Sequence, residues 1–410
     1  MADEPSKAGA AHRDGNGTPG VFVATYHDTA DRRLARAQIA LRRRLANGVG
    51  LWEAEIGGVV VAAPGGPTTL PEDLARRLKA PLRNGSLEEV ARLRTGTEDV
   101  ALLEGQHVLR SYDDLASALR ANIRPIREST PRKRAPAVEH VRAHLRPQLA
   151  EIERTDPLIR IGDDPEAIHD FRVAVRRMRS VLKSTKALFE RDWLESLRDE
   201  LRWIAGELGD ARDLDVLLLE LREDAGLDAA PVLKQLETQR RRAWKRARSA
   251  LESERYGKLL DRLAEAVEAP PVRKADLSLE AVAAREFEKL RPKARRLGPK
   301  TSPADVHRVR IRAKRARYAA ELATSVSGRK RIRRFVEATK KFQDVVGAYQ
   351  DAVVAEKRIQ SVMNNTKDTR TAFAAGQLVD RSAAGRRRLA RKEFRSSWRQ
   401  VERQGRKTWA

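Results

Sequence analysis

The stretch HDFRVAVRRMRSVLK, residues 169–183, returns 138 residues later as HRVRIRAKRARYAAEL, residues 307–322. His169 maps to His307, Arg172 to Arg310, Arg176 to Lys314 and Arg179 to Arg317. The same offset carries Gly209 to Gly347 and Asp213 to Asp351. Two separated blocks in one register mark two copies of a single helical unit, a closed pseudo-symmetric pair rather than an open solenoid. Projected at about 100° per residue, His169, Arg172, Arg176, Arg179 and Lys183 fall within an arc of about 80°, with Phe171, Val175, Met178 and Leu182 opposite. One face is core and the other a cationic rail. In the second copy the rail is His307, Arg310, Lys314 and Arg317, and Glu321 stands where Lys183 stood. That rail is shorter.

Around these helices the chain is basic and long. It has 410 residues, 83 Lys+Arg against 58 Asp+Glu, a formal net charge of +25, and 41% hydrophobic residues. The apolar fraction excludes a disordered polybasic tail, and the charge calls for an anionic partner. Residues 1–120 carry equal numbers of basic and acidic residues, so the whole excess lies after them. The proline- and arginine-rich stretch 121–136 reads as a linker. Before it come a glycine-rich tail, 1–20, and a small α+β domain, 21–120, with β-branched and aromatic runs such as VFVATYHDT. After it, residues 137–400 read as all helix, in copies of about 137–265 and 275–400, with breaks near Asp163–Pro165, Pro231, Pro270–Pro271 and Gly298–Pro303.

Other chemistry is excluded or outweighed. With no cysteine there is no thiolate metal site or cysteine nucleophile, and a reducing cytoplasmic setting is the expectation. No run of about 20 apolar residues suggests a membrane span. GNGTPG (15–20) spells a dinucleotide fingerprint without the preceding strand, and His140 and His144 lack both a glutamate and an anionic setting for zinc. No metal, cofactor or catalytic residue is assigned. Four or five cations along about 20 Å of helix suit an extended polyanion, gripped by arginine forks, with the rail histidines neutral.

The two His-x-x-Arg helices, His169 to Arg172 and His307 to Arg310, with the blocks LGDARDLD (208–215) and VGAYQD (346–351), resemble the CHAD family of histidine-containing α-helical domains. The resemblance implies a mainly α fold of two four-helix bundles related by approximate two-fold symmetry, with a basic surface where they meet. It also implies binding of inorganic polyphosphate, often at polyphosphate granules, by the rail residues. Asp213 and Asp351 are then structural supports that orient arginines of the neighbouring helix. Before the linker, YHDTADRRLARAQIALRRR (26–44) resembles the CYTH family of triphosphate tunnel enzymes. In that light Arg42 and Arg44, two apart on a strand, share a face and could grip a triphosphate. The carboxylate strand of that family is absent here, which implies a truncated, inactive remnant. A nucleic acid is the competing reading for the helical part, since phosphate neutralisation drives both associations, and triphosphate hydrolysis ranks third. The rails carry no aromatic for base stacking apart from nearby Tyr318.

Overall fold

The computed structural model describes residues 22–46, 49–83, 85–96, 99–100, 131–162, 164–224, 229–298, 300–327, 330–379 and 385–409. It divides into two compact units, residues 1–127 and 128–410. The tail 1–20 with its GNGTPG stretch, and the first ten residues of the linker, lie outside the described residues.

The first unit is an antiparallel sheet of β1 (Phe22–Thr29), β2 (Ile39–Ala46), β3 (Val49–Ile56), β4 (Val59–Pro64), β5 (Leu87–Gly96) and β6 (Asp99–Val100), in the order β4-β3-β2-β1-β5-β6. Alternation sends Ala24, Tyr26, Leu41, Trp52 and Ala54 into its core. Three short helices accompany it: α1 (Arg33–Arg36), α2 (Glu72–Arg77) and α3 (Lys79–Leu82). Asp28, within the Tyr26-x-Asp28-Thr29 motif, is buried and accepts from the backbone N–H groups of Thr29 at 2.7 Å, Leu34 at 2.9 Å and Ala35 at 3.1 Å. Its carboxylate thus holds the turn into α1, satisfying orphan donors at a helix start.

The second unit is helical. Its first copy comprises α4 (Ala137–Ile161), α5 (Pro165–Ser184), α6 (Arg191–Glu207), α7 (Gly209–Asp224), α8 (Ala230–Glu252) and α9 (Glu254–Glu268). The second comprises α10 (Leu279–Arg295), α11 (Pro303–Ser327), α12 (Lys330–Asn365), α13 (Thr369–Leu378) and α14 (Gly385–Trp409). The 138-residue register is visible in the helix starts: Pro165 opens α5 and Pro303 opens α11, where a fixed φ and a missing N–H cost nothing. Asp164 caps the first, accepting from Glu166 and Ala167, and Ser302 Oγ accepts from Asp305 N at the second.

In each copy four helices form a bundle, α4, α5, α6 and α9 in one and α10, α11, α12 and α14 in the other. Phe171, Met178, Leu197, Leu201 and Tyr256 fill the first core, and Phe287, Phe335, Phe342, Trp398 and Val401 the second. The copies differ in their third leg: α12 is one helix of 36 residues, whereas its counterpart is interrupted at Leu208 into α6 and α7. They meet where α5 and α4 pack on α11 and where α8 packs on α12 and α13. Asp210 of α7 ties the second contact, accepting from Arg246 at 3.0 Å and from Arg358 of the other copy at 2.6 Å.

Candidate polyanion-binding site

The rails are brought together because α5 and α11 pack against each other. Near an isologous two-fold axis, equivalent residues meet their own counterparts. Here Arg172 lies close enough to Arg310, and Lys314 to Arg176, to feel the repulsion of its counterpart. Four basic residues from two copies of one motif therefore share a single cluster.

The glycine–aspartate blocks explain how two of them are held. Gly209 and Asp213 are four residues apart, on one face of α7, and Gly347 and Asp351 are spaced likewise on α12. Arg172 crosses over Gly209, where an added Cβ would stand 2.9 Å from its Nη1, and reaches Asp213 at 3.8 Å. Arg310 crosses Gly347 and reaches Asp351, again at 3.8 Å. Arg172 also donates to the carbonyl of Ala205 at 2.8 Å, close to the end of α6. A cation there complements the helix dipole and satisfies a terminal acceptor.

Arg176 and Lys314 have no such anchor: among the described residues no carboxylate makes an ion pair with either. Burial, and then the neighbouring Arg176 and Arg310, lower the Lys314 pKa to about 6. Burial likewise pushes down His169, with Arg212 adding to the effect, and His307, with Arg310 adding. Asp351 is pushed up by burial against the pull of Arg310 and Lys314. The cluster gathers three arginines and a lysine stripped of most of its charge around two aspartates, an excess of basic groups that an anionic ligand relieves.

A family model for the CHAD domain matches residues 143–360. The chain belongs to the CHAD domain family. Two uncharacterized proteins from two strains of Mycobacterium tuberculosis are each 30% identical over 272 residues, covering 60% of this chain and 50% of theirs. The chain spans about half the length of these curated relatives. Among solved structures, PptA from Streptomyces chartreusis is 25% identical with a TM-score of 0.53, over 65% of this chain and all of that one. The CHAD domain from the plant Ricinus communis is 27% identical with a TM-score of 0.52, over 64% of this chain and 93% of that one. The family match takes in both rails, and the CHAD domain is a non-catalytic, binding-type domain.

Within this CHAD domain three rail arginines lie beside carboxylates. Arg172 and Arg310 reach Asp213 and Asp351 on neighbouring helices, and Arg317 pairs at 3.3 Å with Glu321, one turn along its own helix. Packing also adds cations that the rails did not include. Arg212 of α7 reaches the Pro165 carbonyl at 3.1 Å beside His169, while Arg198 of α6 and Arg312 and Arg315 of α11 surround Lys183. Arg315 repeats Arg177 at the 138-residue offset but lies off the rail, and Arg198 carries no sequence signal. Tyr318 is buried under Arg177 and Arg317, whose guanidinium carbons lie 6.0 Å and 4.7 Å from its ring centre.

Elsewhere, His140 shares a hydrogen bond of 2.9 Å with Ser325 Oγ, and burial lowers His144 to about 4. Among the described residues no group of three or more His, Cys, Asp or Glu is placed to hold a metal ion, and no helix is long and apolar enough to cross a membrane. In the first unit Arg42 and Arg44 share a face of β2, and both Nε atoms donate to the buried Glu53, at 2.6 Å and 2.5 Å.

Proposed function

We propose that this CHAD domain binds inorganic polyphosphate across the crossed helices α5 and α11. The observation that carries the reading is the merging of two cationic rails, one from each copy, into one cluster whose central pair, Arg176 and Lys314, lacks carboxylate partners among the described residues. A linear phosphate polymer offers closely spaced charge and no bases, and the central cluster offers three arginine forks and one lysine amine. Tyr318, beside the second rail, is buried beneath two arginines, which weighs against base stacking on it and therefore against single-stranded nucleic acid. In competition at physiological salt, long-chain polyphosphate should displace a labelled polyphosphate probe at a concentration at least tenfold below that of mixed-sequence DNA of equal charge, or of ATP. Equal potency of DNA would transfer the site to nucleic acid.

The sheet unit we read as non-catalytic. Its two candidate triphosphate contacts, Arg42 and Arg44, are drawn to Glu53, and the Asp28 carboxylate is spent on the start of α1. The purified protein with magnesium or manganese should release no phosphate from tripolyphosphate above background. Metal-dependent turnover lost on replacing Arg42 and Arg44 with alanine would show a working enzyme.

A further inference from the structure

The two ends of the crossed helices are not equivalent. One and two turns beyond Arg176 on the same face of α5 stand Arg179 and Lys183, so the rail continues for about 10 Å. Lys183 has Arg315 and Arg312 of α11 and Arg198 of α6 for electrostatic neighbours, and Arg179 has Arg202, Arg198 and Arg315. Among the described residues, Arg179, Lys183, Arg312 and Arg315 make no ion pair with a carboxylate. The acids nearby are already engaged: Glu195 with Arg198 at 2.6 Å, Asp199 with Arg202 at 2.6 Å and Glu286 with Lys289 at 2.5 Å.

At the matching end of α11 the repeat puts Glu321 in the place of Lys183. Its half-buried carboxylate pairs with Arg317 at 3.3 Å, and Arg177 and Lys340 also face it. An internal anion thus occupies, in the second copy, the position at which the first copy presents a cation. A phosphate reaching Arg317 would have to enter beside a fixed negative charge, whereas one reaching Arg179 would not.

We propose that the binding surface is one-sided: a polyphosphate chain seated on Arg172, Arg176, Arg310 and Lys314 continues along α5 to a second phosphate subsite formed by Arg179, Lys183, Arg312 and Arg315, and does not continue past Glu321. This rests on the polyphosphate reading above. The first copy thereby supplies length discrimination, because a chain of three phosphates fills the central cluster alone while a longer one gains the second subsite at high effective concentration.

Isothermal titration of the full chain with tripolyphosphate and with long-chain polyphosphate separates the possibilities. Lys183→Gln with Arg315→Gln should lower long-chain affinity at least tenfold and leave tripolyphosphate within twofold. Lys183→Arg should keep the long-chain affinity, which distinguishes charge from packing, and circular dichroism checks the helices. Glu321→Lys should raise long-chain affinity threefold or more and leave tripolyphosphate within twofold. An unchanged long-chain affinity in the Lys183/Arg315 variant, or in Glu321→Lys, would overturn one-sidedness while leaving polyphosphate binding in place. A wild-type protein that binds neither ligand would overturn both readings.

Discussion

Replacing Arg176 and Lys314 together by alanine should lower the affinity for long-chain polyphosphate about a hundredfold while raising the melting temperature of the free protein. The two effects have one cause. Both side chains lie where α5 meets α11, near Arg172 and Arg310, and neither makes an ion pair with a carboxylate among the described residues. A charge-assisted contact to phosphate worth about 1.4 kcal/mol is tenfold in affinity, so two lost contacts give about a hundredfold. The salt slope should fall in parallel, by about 0.7 for each cation removed if the polymer behaves as a single strand. In the absence of ligand, however, the same groups contribute mainly repulsion and desolvation. Their removal should stabilise the fold by about 1 kcal/mol, or about 2–4 °C in a domain of this size. Arg172→Ala should behave oppositely, losing stability as well as affinity, since Asp213 and the Ala205 carbonyl would lose their donor. Titration calorimetry with thermal unfolding checks both; a double variant that loses stability and keeps its affinity would show that the central pair supports the fold rather than the ligand.

That contrast between Arg172 and Arg176 marks the limit of what the sequence makes legible. Helical spacing places both on one face, and the offset of 138 residues pairs them with Arg310 and Lys314, so the repeat and the rails are readable from residue order alone. The glycine–aspartate blocks are readable too as a spacing of four. Their physical role emerges only when α7 and α12 lie beside the rails, letting Arg172 cross Gly209 and Arg310 cross Gly347. Arg198 and Arg212 join the basic surface from other helices, through long-range packing that a single-helix projection does not contain. The interruption at Leu208 is equally hidden, since the matching Val346 and Gly347 continue the same motif within an unbroken helix.

Binding should also take up a proton, and the fold should respond to pH in the opposite sense to the complex. Lys314 has its pKa lowered from 10.5 to about 6 by burial, Arg176 and Arg310, so in the free protein near pH 7.5 it is mostly neutral. A phosphate oxygen beside it favours the ammonium form and raises that pKa, so forming the complex draws in close to one proton per protein. His169 and His307, pushed down by burial and by Arg212 and Arg310, add to the uptake as the pH approaches their own range. Affinity for polyphosphate should therefore rise as the pH falls from 8.5 to 6. For the free fold the sign reverses: between about pH 6 and 10.5 the unfolded chain holds a proton on this lysine that the folded chain lacks, so the Lys314 contribution to stability grows as the pH rises through that window. Calorimetric titrations at pH 7.5 in buffers of different ionisation enthalpy measure the uptake directly. The wild type should give a slope near one proton and Lys314→Met a slope near zero; no uptake in the wild type, or an unchanged slope in the variant, would mean that the ligand does not reach Lys314.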